Sequence, residues 1–170
     1  MSLPKLDMDE VREYIKNTGE NSIIYLGADS ERVKLDGIWY ADFFLVIVVH
    51  IDGCHGGKIF GEIQRERDYD NRKDRPSTRL MNETYKVAQL FLDMEDILHD
   101  RLVEIHLDLN PNEMHGSSCV VNQAVGYIKG VTNMTPRVKP DAFAASYAAD
   151  RLKFVIATQR ELKMKGNTNA

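Results

Sequence analysis

Hydrophobic residues are gathered early in the chain, and their spacing there is that of strands. "IIYLGA", from Ile23 to Ala28, is a continuous apolar run that predicts a buried strand over about residues 23–30. After the turn "KLDG", the stretch "IWYADFFLVIVVHID" is rich in β-branched and aromatic residues and predicts a long second strand. "DGCHGG" reads as another turn, and "KIFGEIQRERD" returns from it as the far arm of a hairpin. Ahead of the three antiparallel strands, residues 6–17 can form a short amphipathic helix with Leu6, Val11, Tyr14 and Ile15 along one side.

The period then changes. Pro76-Ser77-Thr78 looks like a helix start, and Leu80, Thr84, Val87, Phe91, Met94 and Leu98 recur at helical spacing. In "LVEIHLDLNP", Val103, Ile105, Leu107 and Leu109 alternate with Glu104, His106 and Asp108, which predicts a strand with one apolar and one polar face. "GSS" caps a second helix carrying Val120, Val121, Ala124, Val125 and Ile128, with Gly130 as its stop. A short strand at "PRVKP" leads into a last helix, with Ala149, Leu152, Val155 and Ile156 facing inward. The order β-β-β-α-β-α-β-α implies an α/β fold: a mixed sheet of three antiparallel strands and then alternating α and β, with helices on both faces. Residues 1–21 form a helix and lead-in, 22–164 the domain, and 165–170 a flexible tail.

Composition narrows the setting. The 170 residues are 43% hydrophobic and 28% charged, ordinary for a soluble domain with a full core. The longest apolar run, Phe43 to Val49, is too short to span a bilayer, and the acidic start "MSLPKLDMDEVREY" is no secretory signal, so a cytoplasmic protein without a membrane partner is expected. Cys54 and Cys119 stand in unrelated contexts and make no disulfide framework. A net charge of −4 argues against indiscriminate nucleic-acid binding. Locally, however, "QRERDYDNRKDRPSTR" sets six basic residues against four acids. It is either a compensated solvated loop or a phosphate-gripping rim, with Arg65, Arg67, Lys73 and Arg75 as the candidate contacts.

Carboxylates are the candidate chemistry. Asp29 ends the first apolar strand, and a charge there must be paired, exposed or bound to a cation. Asp108 lies near the end of "IHLDLN"; a hairpin followed by a crossover can make the two strands parallel neighbours, with both acids at the sheet edge where ligands bind. Glu83 borders the core face of the long helix. In "KPDAFAASYAADRL", Asp141 and Asp150 stand nine apart, about 900° around one helix, so only one can share the site. If Pro140 is the first helical residue the acid is Asp141; if Ser146 is the N-cap it is Asp150, the preferred reading. Converging carboxylates need cations, and hard oxygen donors suit Mg²⁺ or Mn²⁺. Two such ions roughly 4 Å apart support phosphodiester hydrolysis without a Ser or Cys nucleophile.

In element order and acid placement the chain resembles the ribonuclease H-like superfamily over roughly residues 22–162. Within it, "GADSE", "IHLDLN" and "KPDAFAASYAADR" are similar to the YkuK-type branch. "TRLMNE" resembles the Thr-then-Glu helix start of ribonuclease H, and "AADRL" its terminal Ala-Asp helix motif. The resemblance implies a metal-binding and catalytic quartet of Asp29, Glu83, Asp108 and Asp150, and a nuclease acting on RNA, DNA or their hybrid, with oligomeric state left open. Such enzymes often carry a His before the last helix, and none lies between Thr132 and Asp150. His106 and His115 are then ordinary polar residues or aids to product release and substrate contact. Asp29-Ser30-Glu31 resembles the Asp-x-Glu of proofreading exonucleases, but Tyr147 is three residues before Asp150 rather than four or five.

Other constellations are weaker. His50, Cys54 and His55 surround a turn and lack a fourth zinc ligand. No Walker-type or dinucleotide glycine loop is present, which ranks a nucleotide-binding ATPase last. The rival from another class is a non-catalytic module of this fold that binds nucleic acid or a protein partner.

Overall fold

A computed structural model describes residues 2–51, 56–70, 76–144, 146, 150 and 153. Helix α1 (Met8–Asn17) starts where the Asp7 carboxylate accepts the backbone N–H groups of Asp9 and Glu10, each at 3.1 Å. Such a cap is worth about 1 kcal/mol. Strands β1 (Ile23–Leu35) and β2 (Ile38–His50) form one unbroken hairpin, from Ile23 opposite His50 to Leu35 opposite Ile38. Its two-residue turn, Asp36-Gly37, has φ of 48° and 82°, and two positive φ values give the turn whose twist matches paired strands. Strand β3 (Gly57–Arg67) extends the sheet antiparallel to β2.

Helix α2 (Ser77–Leu98) crosses the sheet and delivers β4 (Leu102–Leu107), which pairs parallel with β1 from Ile23 opposite Leu102 to Ala28 opposite Leu107. The sheet order is β3-β2-β1-β4. No side chain of α2 caps its own start; instead Asp70 accepts the N–H groups of Thr78 at 3.2 Å and Arg79 at 2.8 Å. That carboxylate also complements the positive end of the helix. A 3₁₀ turn, Gly116–Val120, leads into α3 (Val121–Thr132).

Alternation along the strands sorts side chains to two faces. Leu26, Ile47 and Ile105 pack against Val11 and Ile15 of α1, Met94 of α2 and Ile128 of α3, so α1 belongs to the main core. Each such buried side chain contributes about 1.5–3 kcal/mol. Tyr25, Val46 and Val48 face the other way and meet Ala144. Ala144, Ser146, Asp150 and Lys153 have helical backbone there, which puts helices on both faces. No described helix is long and apolar enough to cross a membrane.

Five local expectations change. "GSS" lies within the 3₁₀ turn and does not cap α3, whose N-cap is Val120 with no side-chain hydrogen bond. β1 runs on to Leu35, because β2 keeps pairing with it after β4 has left, so Asp29 lies inside a strand. The strand expected at "PRVKP" is a single bridge, Arg137 to His106, flanked by Lys139 N–H donating to Leu109 O at 3.0 Å. Pro136 and Pro140 lack the N–H groups that a longer ladder needs. Gly130 lies within α3, which ends at Asn133 in the left-handed region, φ 58°. Ser146 is already helical and Pro140 sits in a turn, so neither proposed start of the last helix holds. The N–H groups of Phe143 and Ala144 are instead met by the ring of His106.

Candidate functional site

The site is built where β4 parts from β1. Ala28 faces Leu107, so the next step of the parallel register sets Asp29 beside Asp108. Burial, and then the charge of Asp108, push the Asp29 carboxyl above its ordinary range. Its Oδ1 accepts the Ser30 N–H at 2.8 Å. Its Oδ2 lies 3.5 Å from Lys153 Nζ, and the same ammonium is 3.3 Å from Glu31 Oε2. Residues two apart on a strand share a face, so Asp29 and Glu31 point to the same cation.

Ser30 points the other way, toward α2. Its hydroxyl donates to Glu83 Oε1, and Arg79 donates to the Ser30 carbonyl oxygen at 2.9 Å and to its Oγ at 2.5 Å. Arg79 and Glu83 are four apart on α2, the spacing of neighbours on one helix face, and lie 3.8 Å apart. Glu83 is only 3% exposed. Burial, and then the charge of Asp29, push its carboxyl up to about 8, with Asp108 adding to the rise. At Asp108, Lys139 Nζ stands 2.7 Å from Oδ1, so this carboxylate too already has an ion-pair partner.

Three of the four sequence-predicted acids therefore feel each other's charge, and each is faced by one cation of the chain. Asp150 is exposed, and none of the contacts described for Asp29, Glu83 or Asp108 reaches it. It precedes Lys153 by three residues, the spacing that sets two helix side chains on one side. Asp141 is exposed in the turn before the helix. Among the described residues, no group of three or more His, Cys, Asp and Glu side chains is gathered tightly enough to hold a metal ion. The donor chemistry nevertheless suits one: Asp29, Glu83 and Asp108 offer hard carboxylate oxygens and no nitrogen or sulfur. Holding a cation requires the acids to turn from their present partners.

Of the basic candidates, Arg65 and Arg67 lie on the sheet face of Asp29 and Glu31, because Glu31 pairs with Asp42, and Asp42 with Arg65. Two strand spacings put Arg65 about 10 Å from Glu31. Arg65 Nε and Nη2 both bond the buried Asp42 carboxylate at 2.6 Å. Arg67 is exposed, with its guanidinium 5.5 Å from the Tyr69 ring. Lys73, Arg75, Cys54, His55, Ala149, Leu152, Val155, Ile156 and the tail lie outside the described residues.

Ser30, Arg79, Lys139 and Lys153 were not singled out from the sequence as parts of the site. Only the Arg79–Glu83 spacing carried a local signal. His106 is buried among Tyr25, Phe143 and Ala144 on the face opposite the main core.

The ribonuclease H-like family model matches residues 7–153. This chain belongs to the ribonuclease H-like family. Neither a curated protein nor a solved structure matches it. The family match takes in α1, all four strands, α2 and α3, and reaches Lys153, so it covers every residue of the site described above. Within a ribonuclease H-like chain, the parting of β1 and β4 is also the sheet edge at which open α/β folds take ligands.

Proposed function

We propose that this ribonuclease H-like protein is a divalent-cation-dependent nuclease. The observation that carries the reading is the placing of Asp29 beside Asp108 where two parallel strands part, with the buried Glu83 bonded to the adjoining Ser30. With Asp150 as the fourth acid, these residues would hold two Mg²⁺ or Mn²⁺ ions, which supply charge to the attacking water and the leaving oxygen of a phosphodiester. Asp29 and Asp108 lie side by side where β4 leaves β1. Ser30 and Arg79 fix the carboxylate of Glu83, and the exposed Arg67 is available to a phosphate on the same sheet face. The likeness of "GADSE" and "IHLDLN" to the YkuK-type branch supports a position within it.

A second reading, binding without turnover, is favoured by the ion pairs that already neutralise Asp29 and Asp108. One experiment separates the two. Labelled RNA, DNA and hybrid oligonucleotides are incubated with the protein in Mg²⁺, in Mn²⁺ and in chelator. Cleavage that requires the cation and is lost in both Asp29→Asn and Asp108→Asn supports the nuclease; cleavage that persists in those variants overturns it. Salt-sensitive binding without cleavage under either cation supports the binding module.

A further inference from the structure

We infer that Lys153 is a built-in counter-ion that competes with divalent cations for Asp29 and Glu31, so that loading the site requires its ammonium to leave. The inference rests on the proposed reading of Asp29 as a cation-binding carboxylate, and adds to it the residue that sets the affinity.

The geometry is specific. One nitrogen stands 3.5 Å from Asp29 Oδ2 and 3.3 Å from Glu31 Oε2, bridging acids two apart on β1. The same nitrogen lies 4.5 Å from the centre of the Phe44 ring, and Phe44 is the residue of β2 directly opposite Asp29. An aromatic face beneath and two carboxylates beside form a seat for a cation, and the chain fills it with its own. About three-quarters of the Lys153 side chain is covered, whereas Glu31 is nearly half exposed, so the ammonium enters from the last helix and solvent reaches the pair from the Glu31 side. Lys139 at Asp108 and Arg79 at Glu83 complete the pattern of one protein cation for each acid.

Two cations cannot share the same carboxylate oxygens without strong repulsion, so the lysine and a divalent ion are alternative occupants. Linkage then requires that removing one raises the affinity for the other by the same factor. A single-point ammonium on a flexible stem is suited to leaving, since it swings away without moving backbone. Lys153 would thus lower the affinity for scarce divalent ions and screen the repulsion between the two acids until a cation arrives.

The test is Mn²⁺ binding by calorimetry on the full chain, in the wild type and in Lys153→Met, Lys34→Met and Asp29→Asn. Lys34→Met removes the same charge from an exposed position outside the site. Lys153→Met is expected to bind Mn²⁺ about tenfold more tightly, within the ordinary range of coupled sites, and Lys34→Met to stay within about twofold of wild type. Asp29→Asn is expected to abolish binding. A Lys153→Met affinity equal to or weaker than wild type, or a gain matched by Lys34→Met, overturns the competition while leaving the reading of Asp29 intact. Asp29→Asn that binds as well as wild type, or absence of binding in wild type and Lys153→Met alike, overturns that reading and the inference with it. A second measurement needs no variant: acylation of Lys153 by an amine-reactive ester, followed by peptide mass spectrometry. Mn²⁺ is expected to raise its labelling rate several-fold relative to other lysines; an unchanged or reduced rate overturns displacement.

Discussion

The imidazole Nδ1 of His106 accepts the backbone N–H of Ala144 at 3.2 Å. It accepts that of Phe143 at the same distance, so Nδ1 carries no proton and Nε2–H donates to Glu104 Oε2 at 2.9 Å. A strand side chain thereby caps the start of the helix that carries Asp150 and Lys153, tying that helix to the strand that ends one residue before Asp108. Replacing His106 with Ala leaves the buried N–H of Ala144 and the partly buried N–H of Phe143 without this acceptor, which costs about 1–3 kcal/mol. His106→Asn, whose Oδ1 falls near the position of Nδ1, is expected to recover part of the loss. Urea unfolding of the three proteins checks both values, and equal stability for Ala and Asn removes the capping role.

Glu83 predicts an unusual pH dependence. Its carboxyl, buried and close to Asp29, is held up to about 8 in the fold, against 4.5 ordinarily. Between those values the folded state keeps a proton that the unfolded chain has released, so stability falls as pH rises from about 4.5 through about 8. His106, pushed down by burial, acts in the opposite sense below its ordinary 6.5. The contribution of Glu83 is therefore read as the difference between wild type and Glu83→Gln in cation-free buffer. That difference should grow in favour of the Gln variant as pH rises, and a flat difference from pH 5 to 8.5 contradicts it.

The order of elements as far as α3 was legible because each had a local signature: the Asp36-Gly37 turn, the alternation of β4, the helical spacing from Leu80 to Leu98. The meeting of Asp29 with Asp108 was legible for a different reason, since a hairpin followed by a crossover leaves few ways to place the fourth strand. The length of β1 was hidden by "SERVKL", whose charges resemble a turn yet pair with β2 to the end. His106 alternates with apolar neighbours and so reads as solvent-facing, but a helix from 37 residues downstream covers it. Lys153 shares that difficulty. Helical spacing relates it to Asp150, and only the tertiary path of the helix brings its ammonium to β1.

Asp29 should trade stability for function. Its ionised form is disfavoured by burial and by Asp108, beyond what Lys153 restores. In chelator, Asp29→Asn is expected to melt a few degrees above wild type, since about 1 kcal/mol shifts a chain of this size by 2–4 °C. Under the proposed function the same variant loses at least about 100-fold in cation-dependent cleavage, the scale of removing an electrostatic stabiliser of a transition state. Calorimetry and a cleavage assay on one preparation check both. A variant that is less stable and inactive shows instead a role in folding.

Arg65 and Arg67 have the same sequence context and opposite fates, so their variants should separate stability from binding. Arg65 makes two hydrogen bonds of 2.6 Å to Asp42, whose side chain is 8% exposed, and that pairing holds its guanidinium firmly charged. Arg65→Ala leaves a nearly buried carboxylate without its donors, at an expected cost of about 1–3 kcal/mol in urea unfolding. Arg67 is exposed beside Tyr69 and, among the described residues, holds no buried partner in place, so Arg67→Ala should change stability by less than about 0.5 kcal/mol. If the sheet face beyond Glu31 carries a nucleic-acid backbone, Arg67→Ala weakens binding to all sequences alike and lowers the salt dependence by about one phosphate contact. Binding titrations at several salt concentrations decide it: an unchanged slope removes Arg67 from the interface, and a folded Arg65→Ala of wild-type stability removes the Asp42 pair from the account of the sheet.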